Sequence, residues 1–314
     1  MTFRYLRNDA DIEAGRGVPA VVAREGARCL GHMARAASRA MGLSRLHAPY
    51  WTARHFAGLL GTPLDSSTLI RQRWRIPGGD HADIVLRANQ SDLTVLKEVF
   101  LNRCYELPAE CGGRLRTIVD IGANCGLASA YLAARHRPDT LVAVEPLAEN
   151  VQVLRHNAAR ADARWRIEEC AAAATTEPLD FYISGYWCTA TAVESVGRRR
   201  LSLPHRIEQA MPRELTTVPA DTVAAILERH RIEHVDLMKI DIEGGELPLL
   251  TDRPDWLHRV DRVLIEIHDK YIDGDAVRDA LRAGGLRQYT SRHLSRSAPP
   301  GMSVELHVRP GRTA

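Results

Sequence analysis

The sequence predicts an α/β fold, a mostly parallel sheet with helices on both faces, and three observations carry that prediction. From Thr117 onward, apolar runs of strand length alternate with helix-length patterns. The first of these runs ends in a small-residue turn, and the second closes on an acid, Glu145. The last two runs, residues 286–290 and 302–308, are linked through Pro299-Pro300-Gly301 without a helix, so they form a hairpin and one edge strand is antiparallel.

The chain starts differently. Residues 1–17 are polar, with Asp9, Asp11 and Glu13, and predict a frayed start. Over residues 18–41, Val22, Leu30, Met33, Ala37 and Met41 recur at three- and four-residue steps, while Arg24, Arg28, Arg35 and Arg39 line another face. Such a basic amphipathic helix suits packing on its own domain or on a second copy, which makes a homodimer plausible; the alternatives are a membrane surface and a transit peptide. Residues 47–67 read as a helical pair or cap. Residues 69–76 and 84–87 read as strands around the turn Pro77-Gly78-Gly79-Asp80. Residues 1–90 are thus expected to be a helical and hairpin extension, for capping or dimerisation. Ser91-Asp92 then caps a helix over 93–102, with Leu93, Leu96, Val99 and Phe100 inward.

Residues 117–145 organise the remainder. Ile118, Val119 and Ile121 form a short apolar run interrupted by Asp120. Gly122-Ala123-Asn124-Cys125-Gly126 makes a tight turn, and an Ala-rich helical segment runs to about His136. Strand, loop, helix, strand and acid make the first half of a nucleotide-binding βαβ unit. The glycines allow close approach of a ligand, the helix start offers free N–H groups, and Glu145 can accept bonds from both ribose hydroxyls. A dinucleotide needs G-x-G-x-x-G with backbone exposed to pyrophosphate. Here Asn124 replaces the second glycine, which suits a ligand without phosphates, such as S-adenosylmethionine (SAM). A dinucleotide and an unliganded turn are the competing readings.

Four motifs in order resemble the FkbM-type SAM-dependent methyltransferases of the class I superfamily: Val119-Asp120-Ile121-Gly122-Ala123-Asn124-Cys125-Gly126, Val144-Glu145-Pro146, Lys239-Ile240-Asp241-Ile242-Glu243-Gly244-Gly245-Glu246 and Ile265-Glu266-Ile267-His268. The resemblance runs from about Gln90 to the C-terminus. It implies a Rossmann-like, seven-stranded sheet over residues 91–314, SAM as cofactor, and O-methylation of a hydroxyl on a small or sugar-bearing secondary metabolite. N- or carboxyl-methylation and a non-catalytic nucleotide-binding scaffold remain the alternatives. In methyltransferases a segment ahead of the fold commonly covers the donor site, which brings Asp92, Asn102 and Tyr105 into question as ligand contacts. The resemblance also places the adenine near Glu169, Cys170 and Ala171.

Further along, residues 147–159 form a helix, 165–170 the third strand and 179–183 another strand-like run. Residues 184–212, with Tyr186, Trp187, Arg198-Arg199-Arg200 and Pro204-His205-Arg206, read as a lid-like insertion. The arginines are either a solvated surface or a contact for an acidic acceptor. Asp221 caps a helix over 222–230; strands over 235–240 and 260–267 follow, then a helix over 273–283 stopped at Gly284-Gly285.

Ligands of open α/β sheets bind beyond the C-terminal strand ends, where Asp120, Glu145, Asp241, Glu266 and His268 gather. Donor binding is assigned to Asp120, Gly122, Asn124, Gly126, Glu145, Pro146, Glu169, Ala171 and Asp241. For the general base, His268 comes first because an imidazole needs little tuning; Asp241 and Glu243 serve if burial raises them. No metal is expected. Asp241, Glu266 and His268 are the trio that would hold a divalent cation, and the histidine argues against magnesium.

Bulk composition narrows the rest. Lys and Arg number 42 against 39 acids, too even for nucleic acid. Six scattered cysteines indicate neither zinc nor a disulfide framework, and a reducing, cytoplasmic setting is expected. No apolar stretch approaches membrane-spanning length, so the expected partner is a small-molecule acceptor.

Overall fold

The computed structural model describes residues 18–59, 67–78, 80–161, 164–184, 190–195, 197–198, 213–252, 254–290, 294 and 301–311. Helices α1 (Val18–Arg39) and α2 (Ser44–Leu59) pack on each other and precede the antiparallel hairpin β1 (Leu69–Arg75) and β2 (His81–Arg87). Helix α3 (Gln90–Leu96) runs straight into a π-turn, Lys97–Asn102. Then come β3 (Thr117–Ile121), α4 (Leu127–His136), β4 (Thr140–Val144), α5 (Ala148–Ala158), β5 (Arg164–Glu168), β6 (Ala171–Ala173), β7 (Leu179–Ser184) and β8 (Arg213–Val218). The chain finishes with β9 (Ala220–Thr222), α6 (Val223–Arg229), β10 (Leu237–Ile240), α7 (Glu246–Thr251), β11 (Arg262–Ile267), α8 (Gly274–Ala283), β12 (Arg287–Tyr289) and β13 (Ser303–Val308).

Seven strands form the main sheet in the order β12-β13-β11-β10-β3-β4-β5. Strands β11, β10, β3, β4 and β5 are parallel. Strand β13 is antiparallel to both neighbours and lies one place in from the edge, where the sequence led us to expect an edge strand. The cause is burial: β13 is buried from Val304 to Val308, whereas β12 is short and largely exposed, so the more apolar arm takes the interior.

Side chains alternate between the two faces, as the pleat demands. Ile118, Leu141, Leu237, Leu264 and Leu306 join one core; Val119, Val142, Met238, Val263 and Ile265 join the other. The first core also takes in Ala36, Ala48, Trp74, Ile84 and Leu86, so hydrophobic packing continues across the boundary expected at residue 90. Among the described residues, no helix is long and apolar enough to cross a membrane, and no disulfide joins the cysteines.

Three local expectations change. Strand β5 stops at Glu168, and the chain bends so that β6 pairs with β9 in a separate sheet. Strands β7 and β8 make an antiparallel hairpin that the sequence reading missed on its β8 side. The cap of α6 is Thr222, whose side chain accepts from Ala225 N, while Asp221 pairs with Arg229.

The cap of α3 is likewise Asn89, which accepts from Asp92 N at 2.8 Å. Asp92 is otherwise engaged. Its buried carboxylate accepts from Arg87 Nη2 at 2.8 Å, Nε at 3.0 Å and the Arg87 backbone N–H at 2.8 Å. Arg87 Nη2 also donates to Asn150 Oδ1 at 2.7 Å, which ties β2, α3 and α5 together. Removing one partner of a buried pair strands the other charge and costs about 3–5 kcal/mol. Urea unfolding of Asp92→Ala should therefore show a stability loss of that size, against under about 1 kcal/mol for the exposed pair variant Asp83→Ala; equal losses would contradict the assignment.

Candidate active site

The turn after β3 is shaped by what it must avoid. Gly122 has φ 77°, and a Cβ there would stand 1.8 Å from the Asp241 carbonyl oxygen, so the loop touches the end of β10 only because it is glycine. Asn124 also lies in the left-handed region, at φ 52°, which Asn tolerates better than most residues. Its backbone N–H donates to Glu145 Oε2 at 2.9 Å. Glu145 Oε1 accepts from Leu147 N at 3.1 Å and Asn150 Nδ2 at 3.0 Å. Burial pushes this carboxyl up, while those three donors work the other way and favour the ionised form.

Beneath the loop, Lys239 is fully buried and donates to Gly122 O at 2.8 Å. Its Nζ lies 3.1 Å from Asp120 Oδ1 and 3.7 Å from Asp241 Oδ2. Burial opposes the charge, but Asp120 and Asp241 outweigh it and raise the ammonium above its ordinary value. Asp120 Oδ2 accepts from Ser129 Oγ at 2.6 Å. Asp241 Oδ2 is also met by Tyr105 OH at 2.8 Å, and that hydroxyl lies 3.2 Å from Glu266 Oε2. Burial, then the neighbouring Asp241, lifts Glu266 well above the carboxylate range. Glu98, on the π-turn, is pushed up to about 7, first by burial and then by Asp241 and Glu243 against Lys97.

These groups surround a cavity of about 490 Å³, within the range of small-ligand sites. Of the residues singled out in the sequence, Gly122, Asn124, Glu145, Pro146, Ala171, Asp241, Glu243 and Glu266 stand on its wall, as do Cys170 and Tyr105. Asp120, Gly126, Glu169 and His268 do not. Asp120 acts through Lys239; Gly126 faces α5, where a Cβ would meet Leu154 Cδ1 at 2.6 Å. Glu169 is exposed in the bend after β5 and pairs with Arg155, because the strand ends two residues earlier than expected. Asp92 is committed to Arg87, and neither it nor Asn102 lines the cavity.

His268 is the main correction. It is fully buried, with Nδ1 3.1 Å from Glu246 Oε1 and Nε2 3.3 Å from Glu243 Oε2. Burial lowers its pKa, but the two carboxylates prevail and raise it well above the ordinary imidazole value. Fully buried and off the cavity wall, the imidazole stands out of an acceptor's reach, so the geometry does not support the first choice of general base. The trio Asp241, Glu266 and His268 also changes: Glu243, not Glu266, joins Asp241 and His268. Two cavity residues escaped notice as functional groups, Lys239 and Glu98. Lys239 was visible as a charge inside an apolar strand. Glu98 had no such signal, since it falls off the inward stripe and reaches the wall from the π-turn.

Much of the expected lid, residues 185–189, 196 and 199–212, lies outside the described residues, including Arg199, Arg200 and His205. Of the rest, Ala190, Ala192 and Val193 line the cavity, and Thr191 Oγ1 donates to Glu243 O at 2.7 Å. Arg198 is exposed and pairs with Glu194, a solvated-surface role.

The residues fit SAM: a turn without side chains at its closest approach, an anchored carboxylate at the second strand end, a small-residue apolar wall and a carboxylate-rich rim opposite a cationic sulfur. Comparison with known proteins agrees. The model of the "Methyltransferase FkbM domain" matches residues 120–289. The AMB antimetabolite synthetase AmbE of Pseudomonas aeruginosa is 26% identical over 74% of this chain, which spans 13% of that protein's length. The 31-O-demethyl-FK506 methyltransferase FkbM of Streptomyces tacrolimicus is 29% identical over 64% of this chain and 82% of its own. Among solved structures, the Methanococcus jannaschii fibrillarin pre-rRNA processing protein aligns at a TM-score of 0.41 and 12% identity, over 77% of this chain and 90% of that one. The TYW2 protein of M. jannaschii, solved with AdoMet, aligns at 0.35 and 9%, over 78% and 86%. With its family domain matched over residues 120–289, the chain belongs to the FkbM methyltransferase family and uses S-adenosylmethionine.

Proposed function

We propose that this chain methylates a hydroxyl oxygen of a small or sugar-bearing secondary metabolite. The observation that carries the reading is the rim of half-buried carboxyls, Glu98, Asp241, Glu243 and Glu266, opposite an apolar wall in one cavity. SAM, when bound, supplies a methyl group on a cationic sulfur, open to in-line displacement.

The protein's own residues do the remainder. Glu145 accepts the ribose hydroxyls, and Pro146 and Ala171 border the same end of the cavity. Asp241, steadied by Lys239 and Tyr105, sets negative charge toward the donor's cationic part. Holding donor and acceptor in line supplies roughly 7–11 kcal/mol of the barrier reduction. Glu98, held near neutral by its surroundings, takes the acceptor's proton. Glu266 faces the Tyr105 hydroxyl and helps orient it. Oxygen as the methylated atom is supported by the relative named for 31-O-demethyl-FK506, which is matched over 82% of its length.

The test uses SAM with a labelled methyl group and a panel of acceptors bearing hydroxyl, amine or carboxyl groups, read by mass spectrometry and NMR. Label on a hydroxyl oxygen supports the reading; label only on nitrogen or as a carboxyl ester contradicts it. No SAM binding in calorimetry would favour a non-catalytic scaffold.

Two outcomes follow at residue level. Glu145→Ala loses charged hydrogen bonds of about 1.5–3 kcal/mol, so calorimetry should show SAM affinity about ten- to hundredfold weaker; unchanged affinity contradicts the assignment. Glu98→Gln should cut turnover by about 10²–10⁴-fold with SAM affinity retained. The wild-type rate should fall as pH drops below about 7, because the carboxyl becomes protonated and can no longer accept, and Glu98→Gln should lose that limb.

A further inference from the structure

We infer that Asp241, Glu243 and His268 form a binding site for a divalent transition-metal cation at the rim of the cavity. One ligand atom from each lies within 4.8 Å of the others. A cation ligated by nitrogen and oxygen at about 2.0–2.2 Å spans such a group with small side-chain adjustment.

Independent support comes from His268. The side chain is fully buried, yet Nε2 has no aligned hydrogen-bond partner and points toward Glu243 Oε2, 3.3 Å away. The other ring nitrogen is fixed. Nδ1 stands 3.1 Å from Glu246 Oε1, and the Glu246 carboxylate is itself fully buried and held by Ile242 N at 3.1 Å and Gly244 N at 3.1 Å. That is the carboxylate–histidine arrangement that orients a ring nitrogen onto a metal. Glu246 thus positions the ligand without touching the cation.

The carboxylates fit the same use. On Asp241, Tyr105 and Lys239 both meet Oδ2, so Oδ1 keeps its lone pairs among the described residues. Glu243 is turned toward His268 by a left-handed backbone, φ 55°, followed by Gly244 at φ 102°. Asp241 and Glu243 stand on the cavity wall, which gives a cation its entry path and leaves coordination positions facing the cavity. Two carboxylates and an imidazole suit Mn²⁺, Fe²⁺, Co²⁺ or Zn²⁺ better than Mg²⁺. On the reading given above, the cation would hold the acceptor's oxygen and lower its pKa, but the site is tested by binding alone.

The experiment treats the full chain with EDTA, dialyses it, and titrates it with Mn²⁺ alone, following the electron paramagnetic resonance signal of the free ion. One ion per chain should bind. Glu243→Gln and His268→Gln should weaken binding by at least about tenfold, and Glu246→Gln by about 10–100-fold, while Glu266→Gln leaves it within about twofold. Circular dichroism and melting of each variant separate unfolding from ligand loss, with Glu243→Gln the decisive variant because Glu243 stands on the cavity wall. No uptake by the wild type, uptake unchanged in Glu243→Gln, or loss confined to Glu266→Gln would each overturn the site. SAM titration of the same samples keeps the two readings apart. SAM bound without Mn²⁺ sinks the cation site alone; Mn²⁺ bound without SAM supports it and contradicts the donor reading.

Discussion

The ammonium of Lys239 sits where two strand ends and a loop converge, and the cavity depends on that meeting. Buried, it would be costly unless paired, and its contacts show what pairs it: Asp120 from β3, Asp241 after β10, the carbonyl of Gly122 and the ring face of Tyr105, 5.3 Å from its centroid. Each contact fixes something the site uses. Gly122 is held against the Asp241 backbone, the Asp241 carboxylate is held beside the cavity, and Tyr105 brings the segment after α3 over the sheet. The parallel register of β3 and β10, with Lys239 opposite Asp120, is what lets one cation serve all of them.

A single cation does not neutralise that rim. Glu98, Asp241, Glu243 and Glu266 crowd one wall, and the physical response is visible in Glu98 and Glu266, both pushed upward by burial and by neighbouring carboxylates. On the two proposals above, such a rim takes a sulfonium on one side and a cation between Asp241, Glu243 and His268 on the other. His268 and Glu246 form the buried layer behind it.

How much could be read from the residues alone follows from the range of the interactions. The βαβ unit was legible because its signals are local: alternating apolar residues, glycines at the turn, and an acid closing the second strand. Glu145, Gly122 and Asn124 were placed at the cavity that way, and Asp241 by the end of its own apolar strand. What escaped rests on tertiary packing. His268 reads as an exposed base in sequence, since nothing nearby reveals that Glu243 and Glu246 fold around it. Glu98 was hidden because a π-turn, Lys97–Asn102, shifts the helix register by one residue and turns a flank position toward the cavity. The place of β13 was misjudged because hairpin connectivity does not say which arm is inserted; burial of Val304, Leu306 and Val308 decides it. Glu169 failed through a two-residue error in where β5 ends.

The central claim is that the Gly122–Gly126 turn and the carboxylate of Glu145 hold the adenosyl end of the donor, with its sulfur facing the carboxylate rim. A crystal structure of the chain with S-adenosylhomocysteine tests this most directly. The account predicts ribose hydroxyls on Glu145, the adenine along Cys170 and Ala171, and the sulfur toward Asp241. Density for the cofactor elsewhere, or a ribose out of reach of Glu145, would contradict it.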